Sequence, residues 1–301
     1  MSYLAVIGLE VHTELKTNTK IFCSCKNEFN LDPNINCCPV CVGMPGALPV
    51  LNKKAVEYAI KAGLALNCEI NPLTRWERKN YFYPDLPKAY QISQAEAPIC
   101  LGGYMEIETQ NGPKKIRLNH IHLEEDAGKL IHSEYGGSLI DYNRGGVPLI
   151  EIVTEPDISS ADEALVFLEN LRALLKYIGV SDCRMEQGSL RCDVNVSLHK
   201  EGEPLGTRVE MKNLASFKAA HRAITYEINR QTEILNSGGK VIQETRRWDD
   251  QKGRSYSMRT KEDAQDYRYF PDADLPPVKI SREFVRKVRE TLPLLPKERA
   301  Q

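Results

Sequence analysis

Ala5-Val6-Ile7-Gly8-Leu9-Glu10-Val11-His12-Thr13-Glu14-Leu15 alternates residue by residue. The odd positions read Ala5, Ile7, Leu9, Val11, Thr13 and Leu15; the even ones read Val6, Gly8, Glu10, His12 and Glu14. Period two marks a strand with one buried and one polar face. Residues two apart on such a strand share a face at a spacing of about 7 Å. Glu10 and His12 can therefore reach one metal ion or a closely spaced pair.

The same alternation recurs downstream. Leu190, Cys192, Val194, Val196 and Leu198 face a core, while Arg191, Asp193, Asn195 and Ser197 face away. Val209 and Met211 point inward, and Arg208, Glu210 and Lys212 outward. Tyr104 to Thr109 and Lys115 to Leu123 form a hairpin around Gln110-Asn111-Gly112-Pro113, which ends in Glu124-Glu125-Asp126. Acids presented from several strands on one sheet face would make a basin for a divalent cation. Their hard oxygen atoms suit Mg²⁺, which bridges ATP phosphates during phosphoryl transfer. The expected ligands are Glu10, His12, Glu125, Asp193 and Glu210. For any one of these acids the plainer reading is a solvated sheet face. Strict alternation also sets Glu125 beside Ile121 and Leu123, so a bulge or strand end near Leu123 is needed to aim it at the basin.

Around these strands the helix signals are local. Asn52 caps a helix to about Leu66. Ser160 and Glu163 make a capping box, and the helix after them stops at Gly179. Ser216 opens a helix to about Asn236, and a short helix spans about Arg282 to Thr291. Further strands surround Leu139 to Tyr142, Leu149 to Val153 and Val241 to Trp248. Tight turns between strands point to an α+β fold, an antiparallel-rich sheet with helices on one face. The sequence holds neither a Walker nor a dinucleotide glycine loop, so ATP would have to be bound in another way.

The totals narrow the function classes. The 301 residues suffice for one large or two ordinary domains, and 42% apolar with 27% charged residues is a globular composition. No stretch approaches the roughly 20 apolar residues of a membrane helix, and Met1 to Leu9 lacks the features of a secretory signal. A cytoplasmic protein without membrane contact is expected. The formal net charge of −1 excludes the electrostatics of a general nucleic-acid binder; contact with RNA needs a local patch or a partner.

Nine cysteines, an odd number, argue against a disulfide framework. Cys68, Cys100, Cys183 and Cys192 read as small buried apolar residues. Cys23-x-Cys25 and Cys38-x-x-Cys41, with Cys37 beside the second pair, bring four thiols into two close pairs. That spacing fits a tetrahedral structural zinc in an insertion of about residues 22–45; reduced, unliganded thiols are the alternative. Lys79-Asn80-Tyr81-Phe82-Tyr83-Pro84-Asp85-Leu86-Pro87-Lys88-Ala89-Tyr90-Gln91 sets two lysines among four aromatics. Such a segment can hold phosphates and stack a base, or it can be a proline-braced loop.

These motifs carry a resemblance. Ile7-Gly8-Leu9-Glu10-Val11-His12, Arg78-Lys79-Asn80-Tyr81-Phe82-Tyr83-Pro84-Asp85 and Pro87-Lys88-Ala89-Tyr90-Gln91-Ile92-Ser93-Gln94 look like the B subunit of the aspartyl/glutamyl-tRNA amidotransferases. So do Glu124-Glu125-Asp126-Ala127-Gly128-Lys129, Pro148-Leu149-Ile150-Glu151-Ile152-Val153, and Gly188-Ser189-Leu190-Arg191-Cys192-Asp193-Val194-Asn195. Gln243-Glu244-Thr245-Arg246-Arg247 and Asp266-Tyr267-Arg268-Tyr269-Phe270-Pro271 complete the series in the family's order.

The resemblance implies a fold akin to glutamine synthetase and the guanido kinases. It implies ATP-dependent phosphorylation of the side-chain carboxylate of Glu or Asp misacylated on tRNA(Gln) or tRNA(Asn). Amidation follows, with ammonia from a glutaminase A subunit and a C subunit holding the pair together. Metal roles pass to Glu10, His12, Glu125 and Glu210, and with weaker correspondence to Asp193. Lys79, Tyr81, Lys88 and Glu125 become the catalytic expectation, and Lys79, Asn80, Tyr83, Lys88 and Arg191 the nucleotide contacts. The zinc set stays Cys23, Cys25, Cys38 and Cys41, resting mainly on spacing. Residues 1–292 correspond to the family's catalytic cradle and 293–301 to the start of a linker; the helical and tail domains that grip tRNA are absent. Two readings compete: a glutamine synthetase-like ligase acting on a free amino acid, and a zinc-bearing adaptor in an RNA complex.

Overall fold

The computed structural model describes residues 3–29, 31–132, 136–260 and 266–294. The first half contains β1 (Leu4–Glu14), α1 (Lys53–Ala65), β2 (Glu69–Ile70), β3 (Leu73–Thr74), β4 (Glu77–Asn80), β5 (Tyr90–Ser93), β6 (Cys100–Leu101), β7 (Tyr104–Thr109) and β8 (Gly112–Glu125). Then come β9 (Lys129–His132), β10 (Ser138–Asp141), β11 (Pro148–Thr154), α2 (Ala161–Tyr177), β12 (Leu190–His199), β13 (Val209–Lys212) and α3 (Phe217–Asn236). The last elements are β14 (Glu244–Asp249), β15 (Arg254–Thr260), β16 (Phe270–Pro271), β17 (Val278–Lys279) and α4 (Arg282–Glu290).

A mixed α/β architecture results, built on a ten-stranded sheet in the order β15-β14-β13-β12-β1-β11-β8-β6-β2, with β7 paired to β8. The pairs are antiparallel except β13 with β14, which run parallel. That exception follows from connectivity: α3 lies between β13 and β14 and returns the chain to the end where it began. β15, a strand the alternation does not announce, closes that edge by pairing with β14.

Alternation decides the two faces. Ile7, Leu9, Val11, Ile121, Leu123, Ile150, Ile152, Val194, Val196, Val209 and Met211 all enter one core with the inward faces of α1, α2 and α3. Each fully buried aliphatic or aromatic side chain contributes about 1.5–3 kcal/mol. The helix starts follow the expected chemistry. Asn52 accepts from Lys54 N, Ser160 from Glu163 N and Ser216 from Ala219 N. The second half of the box at α2 differs: Glu163 Oε2 accepts from Ser159 N at 2.8 Å and from Lys114 Nζ at 2.6 Å. It thus staples the helix to the β7–β8 hairpin as well as capping it. Most of the expected linker, 295–301, lies outside the described residues.

Candidate functional site

The face opposite the helices is polar, and strand register lines up its side chains. His12 stands opposite Glu151 on β11 and Arg191 on β12; Glu151 stands opposite His122 on β8. One row along, Glu10 is opposite Asp193, and on the outer strands Asn195, Glu210 and Thr245 share a row. From these rows emerge two sets of groups whose candidate ligand atoms all lie within 4.8 Å of one another: Glu10, Asp193 and Glu210, and His12, Glu124 and Glu151.

In the first set, Lys212 Nζ sits 2.5 Å from Asp193 Oδ2 and 2.9 Å from Glu210 Oε1. Asn195 Nδ2 donates to Glu10 Oε1 at 3.0 Å, and Thr245 Oγ1 donates to Glu210 Oε2 at 2.7 Å. Burial, then the Glu151 and Glu210 charges, raise the Glu10 pKa above its ordinary value. Burial works against the Lys212 ammonium, but Asp193 and Glu210 outweigh it and hold its pKa up. Among the described residues, Lys212 is thus the ammonium that bridges Asp193 and Glu210, while Glu10 is held by Asn195.

The second set is neutralised from within. His122 Nε2 lies 3.2 Å from both Glu124 Oε2 and Glu151 Oε2, and His12 Nε2 lies 3.2 Å from Glu151 Oε2. Ser93 Oγ donates to Glu124 Oε2 at 2.9 Å. Burial opposes charge on His122, yet its bonds to the two carboxylates outweigh burial and raise its pKa to about 10. Glu151 is held well below the carboxylate range: burial opposes this, and His12 and His122 overcome it. Lys79 feels Glu124 and Glu151 and packs its Nζ 4.9 Å from the Tyr267 ring centroid. Tyr81 meets that same ring edge-on at 5.9 Å.

Sequence reasoning placed Glu10, Asp193 and Glu210 together, and the structure brings them together. It does not bring Glu125 to either set. No bulge turns it: the register irregularity between β11 and β8 falls at Val153/Thr154, opposite His120 and Leu118. Alternation therefore runs on undisturbed, so Glu124 shares the polar face with His122. Glu125 is buried on the other side, 2.7 Å from Lys88 Nζ, and accepts from Ile92 N at 2.9 Å. Glu151 was missed as a site residue, although a lone carboxylate inside an apolar run was its signal. Asn80 is also directed elsewhere, its Nδ2 donating to Arg268 O at 2.8 Å and to Tyr267 O at 3.2 Å.

Arg191 holds Asp126 through two contacts of 3.0 Å each. Glu14 lies beside this pair with both oxygens buried and no N–H or O–H donor on them. Burial first, and then Asp126, push Glu14 up to about 8, so it keeps its proton at neutral pH.

Among the cysteines, the sulfurs of Cys23, Cys25, Cys38 and Cys41 lie within 4.8 Å of one another. A tetrahedron with Zn–S of about 2.3 Å has edges of about 3.8 Å, so modest closure suffices. Cys38 N donates to Cys41 Sγ at 3.1 Å, whereas Cys37 turns away toward Asn143 Oδ1 at 3.8 Å. The thiol of Cys23 next to Cys41 is the first cause that pushes Cys41 down to about 4. A cavity of about 230 Å³ opens between this loop and the sheet, bordered by Cys41, Gly43, Lys88, Glu125 and Gly146. Gly43 has φ +69°, and a Cβ there would collide with Lys88 Cγ. The cysteine loop thus packs its Gly43 backbone directly against the Lys88 side chain. Among the described residues no helix is long and apolar enough to cross a membrane.

Fold and site together define a mixed α/β protein whose sheet presents a carboxylate-lined face. Residues 5–286 match the GatB/GatE catalytic domain, and the chain belongs to that family. It is 63% identical, over 99% of its length, to the B subunit of the aspartyl/glutamyl-tRNA(Asn/Gln) amidotransferase of Ruminiclostridium cellulolyticum. The proteins of the same name from Caldicellulosiruptor saccharolyticus and Persephonella marina are 59% and 57% identical over 100% of the chain. The chain spans 62%, 63% and 64% of the lengths of these three relatives.

Proposed function

We propose that this chain is the carboxylate-activating part of the B subunit of an aspartyl/glutamyl-tRNA(Asn/Gln) amidotransferase. On this reading it uses ATP to phosphorylate the side-chain carboxylate of Glu or Asp misacylated on tRNA(Gln) or tRNA(Asn). Ammonia then displaces phosphate and leaves Gln or Asn on the tRNA. The observation that carries the reading is the pair of carboxylate sets on adjoining strands of one sheet face, flanked by Lys79, Lys212 and Arg191. A carboxylate is a poor electrophile and an acyl phosphate a good one, so the chemistry needs charge neutralisation and exclusion of water more than a nucleophilic side chain.

Glu10, Asp193 and Glu210 fit a divalent cation, because three carboxylates converge within ligand range of one another and their donors are hard oxygens. His12, Glu124 and Glu151 also converge within ligand range, but a second ion there would have to replace the imidazole contacts that already meet their charge. Mg²⁺ bound at the first set would supply neutralisation of phosphate oxygens. Lys79 and Lys212 would offset further charge at the same face. Tyr83 and Lys88 would complete the nucleotide contacts, with Tyr83 and Phe82 exposed enough to stack a base, and Asn80 would serve by holding the Tyr267–Arg268 segment beside them. Arg191 would join them only by releasing Asp126. Tyr81, Lys88 and Glu125 are assigned to the entry of ammonia beside the cavity that Lys88 and Glu125 border. Zinc at Cys23, Cys25, Cys38 and Cys41 would be structural.

Likening the fold to glutamine synthetase and the guanido kinases follows from the family resemblance, and the largely antiparallel sheet is compatible with it. Residues 1–292 would form one catalytic unit, working in the cytoplasm with a glutaminase A subunit, a C subunit and tRNA. The test is ATP hydrolysis by the assembled amidotransferase. Hydrolysis stimulated by misacylated tRNA and not by free glutamate supports the proposal. Stimulation by free glutamate would move the assignment to a glutamine synthetase-like ligase. Absence of nucleotide and Mg²⁺ binding would leave an adaptor.

A further inference from the structure

Lys20 is among the largest fully buried side chains, with 0% of its surface exposed. A buried ammonium costs several kcal/mol unless it is hydrogen-bonded and charge-paired. Its Nζ donates to Asn36 O at 2.9 Å, to Tyr142 O at 3.4 Å and to Cys41 Sγ at 3.6 Å. Three acceptors satisfy its three N–H groups. Two of them are neutral carbonyls, so only the sulfur can supply a counter-charge, and only as a thiolate.

We propose that Lys20 is the charge-balancing and positioning residue of the four-cysteine site. Four thiolates around Zn²⁺ carry a net charge of about minus two, which is costly to hold in a partly buried loop. The Lys20 ammonium halves that excess from inside the fold. Its two carbonyl bonds tie the loop at Asn36 to the turn at Tyr142, where Asn143 Oδ1 also accepts from Asn36 N at 2.8 Å. The lysine therefore sets the charge of the site and the position of the loop that carries Cys38 and Cys41. This inference rests on the zinc reading of the cysteines, and the experiment separates the two.

Zinc affinity is measured by competition with a chromogenic chelator, and thermal midpoints are recorded with and without zinc, for the chain and for Lys20→Met. If the unmodified chain takes up no zinc, the zinc reading falls, and this inference with it. If it does, Lys20→Met is expected to weaken affinity about 10- to 100-fold, the usual cost of losing a group that supports metal ligands. The zinc-induced rise in midpoint shrinks accordingly, so the variant's midpoint falls further with zinc than without it, where only the bonds to the Asn36 and Tyr142 carbonyls are lost. Unchanged affinity, or a midpoint lowered equally with and without zinc, would show a mere brace and overturn the proposal. Lys20→Gln keeps N–H donors without charge and serves if the Met variant does not fold. It is expected to lose affinity as Met does; affinity equal to the unmodified chain would also overturn the proposal.

Discussion

Two carboxylate sets share one sheet face, and their charges are met in opposite ways. At Glu10, Asp193 and Glu210 the Lys212 ammonium bridges two of the acids, and burial raises the pKa of the third, Glu10. At His12, Glu124 and Glu151 an imidazolium is wedged between two acids, and the Glu151 pKa is depressed. Similar residue types therefore give one set in which a lysine bridges acids that also accept from Asn195 and Thr245, and one in which imidazole rings meet the carboxylates directly. Net charge at a site, rather than the number of acids, decides what it can bind.

The largest effect should come from breaking the open set. Glu210→Gln in the assembled amidotransferase is expected to cut tRNA-stimulated ATP hydrolysis by about 10²–10³-fold while the thermal midpoint stays near that of the parent, because the change removes charge from an electron-rich site. Unimpaired hydrolysis would remove Glu210 from the metal assignment.

Breaking the closed set should show in stability first. Removing His122 takes the shared imidazolium from two buried carboxylates and leaves only His12 on Glu151 and the more distant Lys79, so His122→Gln is expected to lose about 3 kcal/mol in denaturant unfolding. The pH dependence has a definite sign. The folded pKa of His122, about 10, lies above its ordinary 6.5. Its contribution is complete below about pH 6.5 and is lost as pH rises toward 10, by up to about 1.4 kcal/mol per unit. That decline should be missing in His122→Gln.

A smaller effect sharpens the comparison at Glu14, an acid that meets burial by keeping its proton. Its folded pKa of about 8 exceeds the ordinary value of 4.5. The stability it confers is complete below about pH 4.5 and falls until pH passes 8. Glu14→Gln should flatten unfolding free energy between about pH 5 and 8 relative to the parent, again by at most about 1.4 kcal/mol per unit. An unchanged slope would mean that Glu14 is ionised in the fold.

Much of this face was legible in the chain, and the failures are instructive. Period two on β1, β12 and β13 pointed to Glu10, His12, Asp193 and Glu210, since a strand's facing follows from counting. The same count on β8 selects His120, His122 and Glu124. Including Glu125 required a bulge, and the strand has none there, so Glu125 forms a buried pair with Lys88 instead. Glu151 showed only as a break in an apolar run, because its value lies in standing opposite both His12 and His122, which are far away in sequence.

The sequence by itself determined β1, β12 and β13 with their facing residues, the helix caps and the family resemblance. Those depend on neighbours within a turn or a strand length, where spacing translates directly into direction. Only the tertiary structure decided which acids share a cation site, that Arg191 is held by Asp126, and that a fully buried lysine closes on the cysteine loop. Such facts turn on register between distant strands and on local net charge, and both arise only when the sheet is assembled.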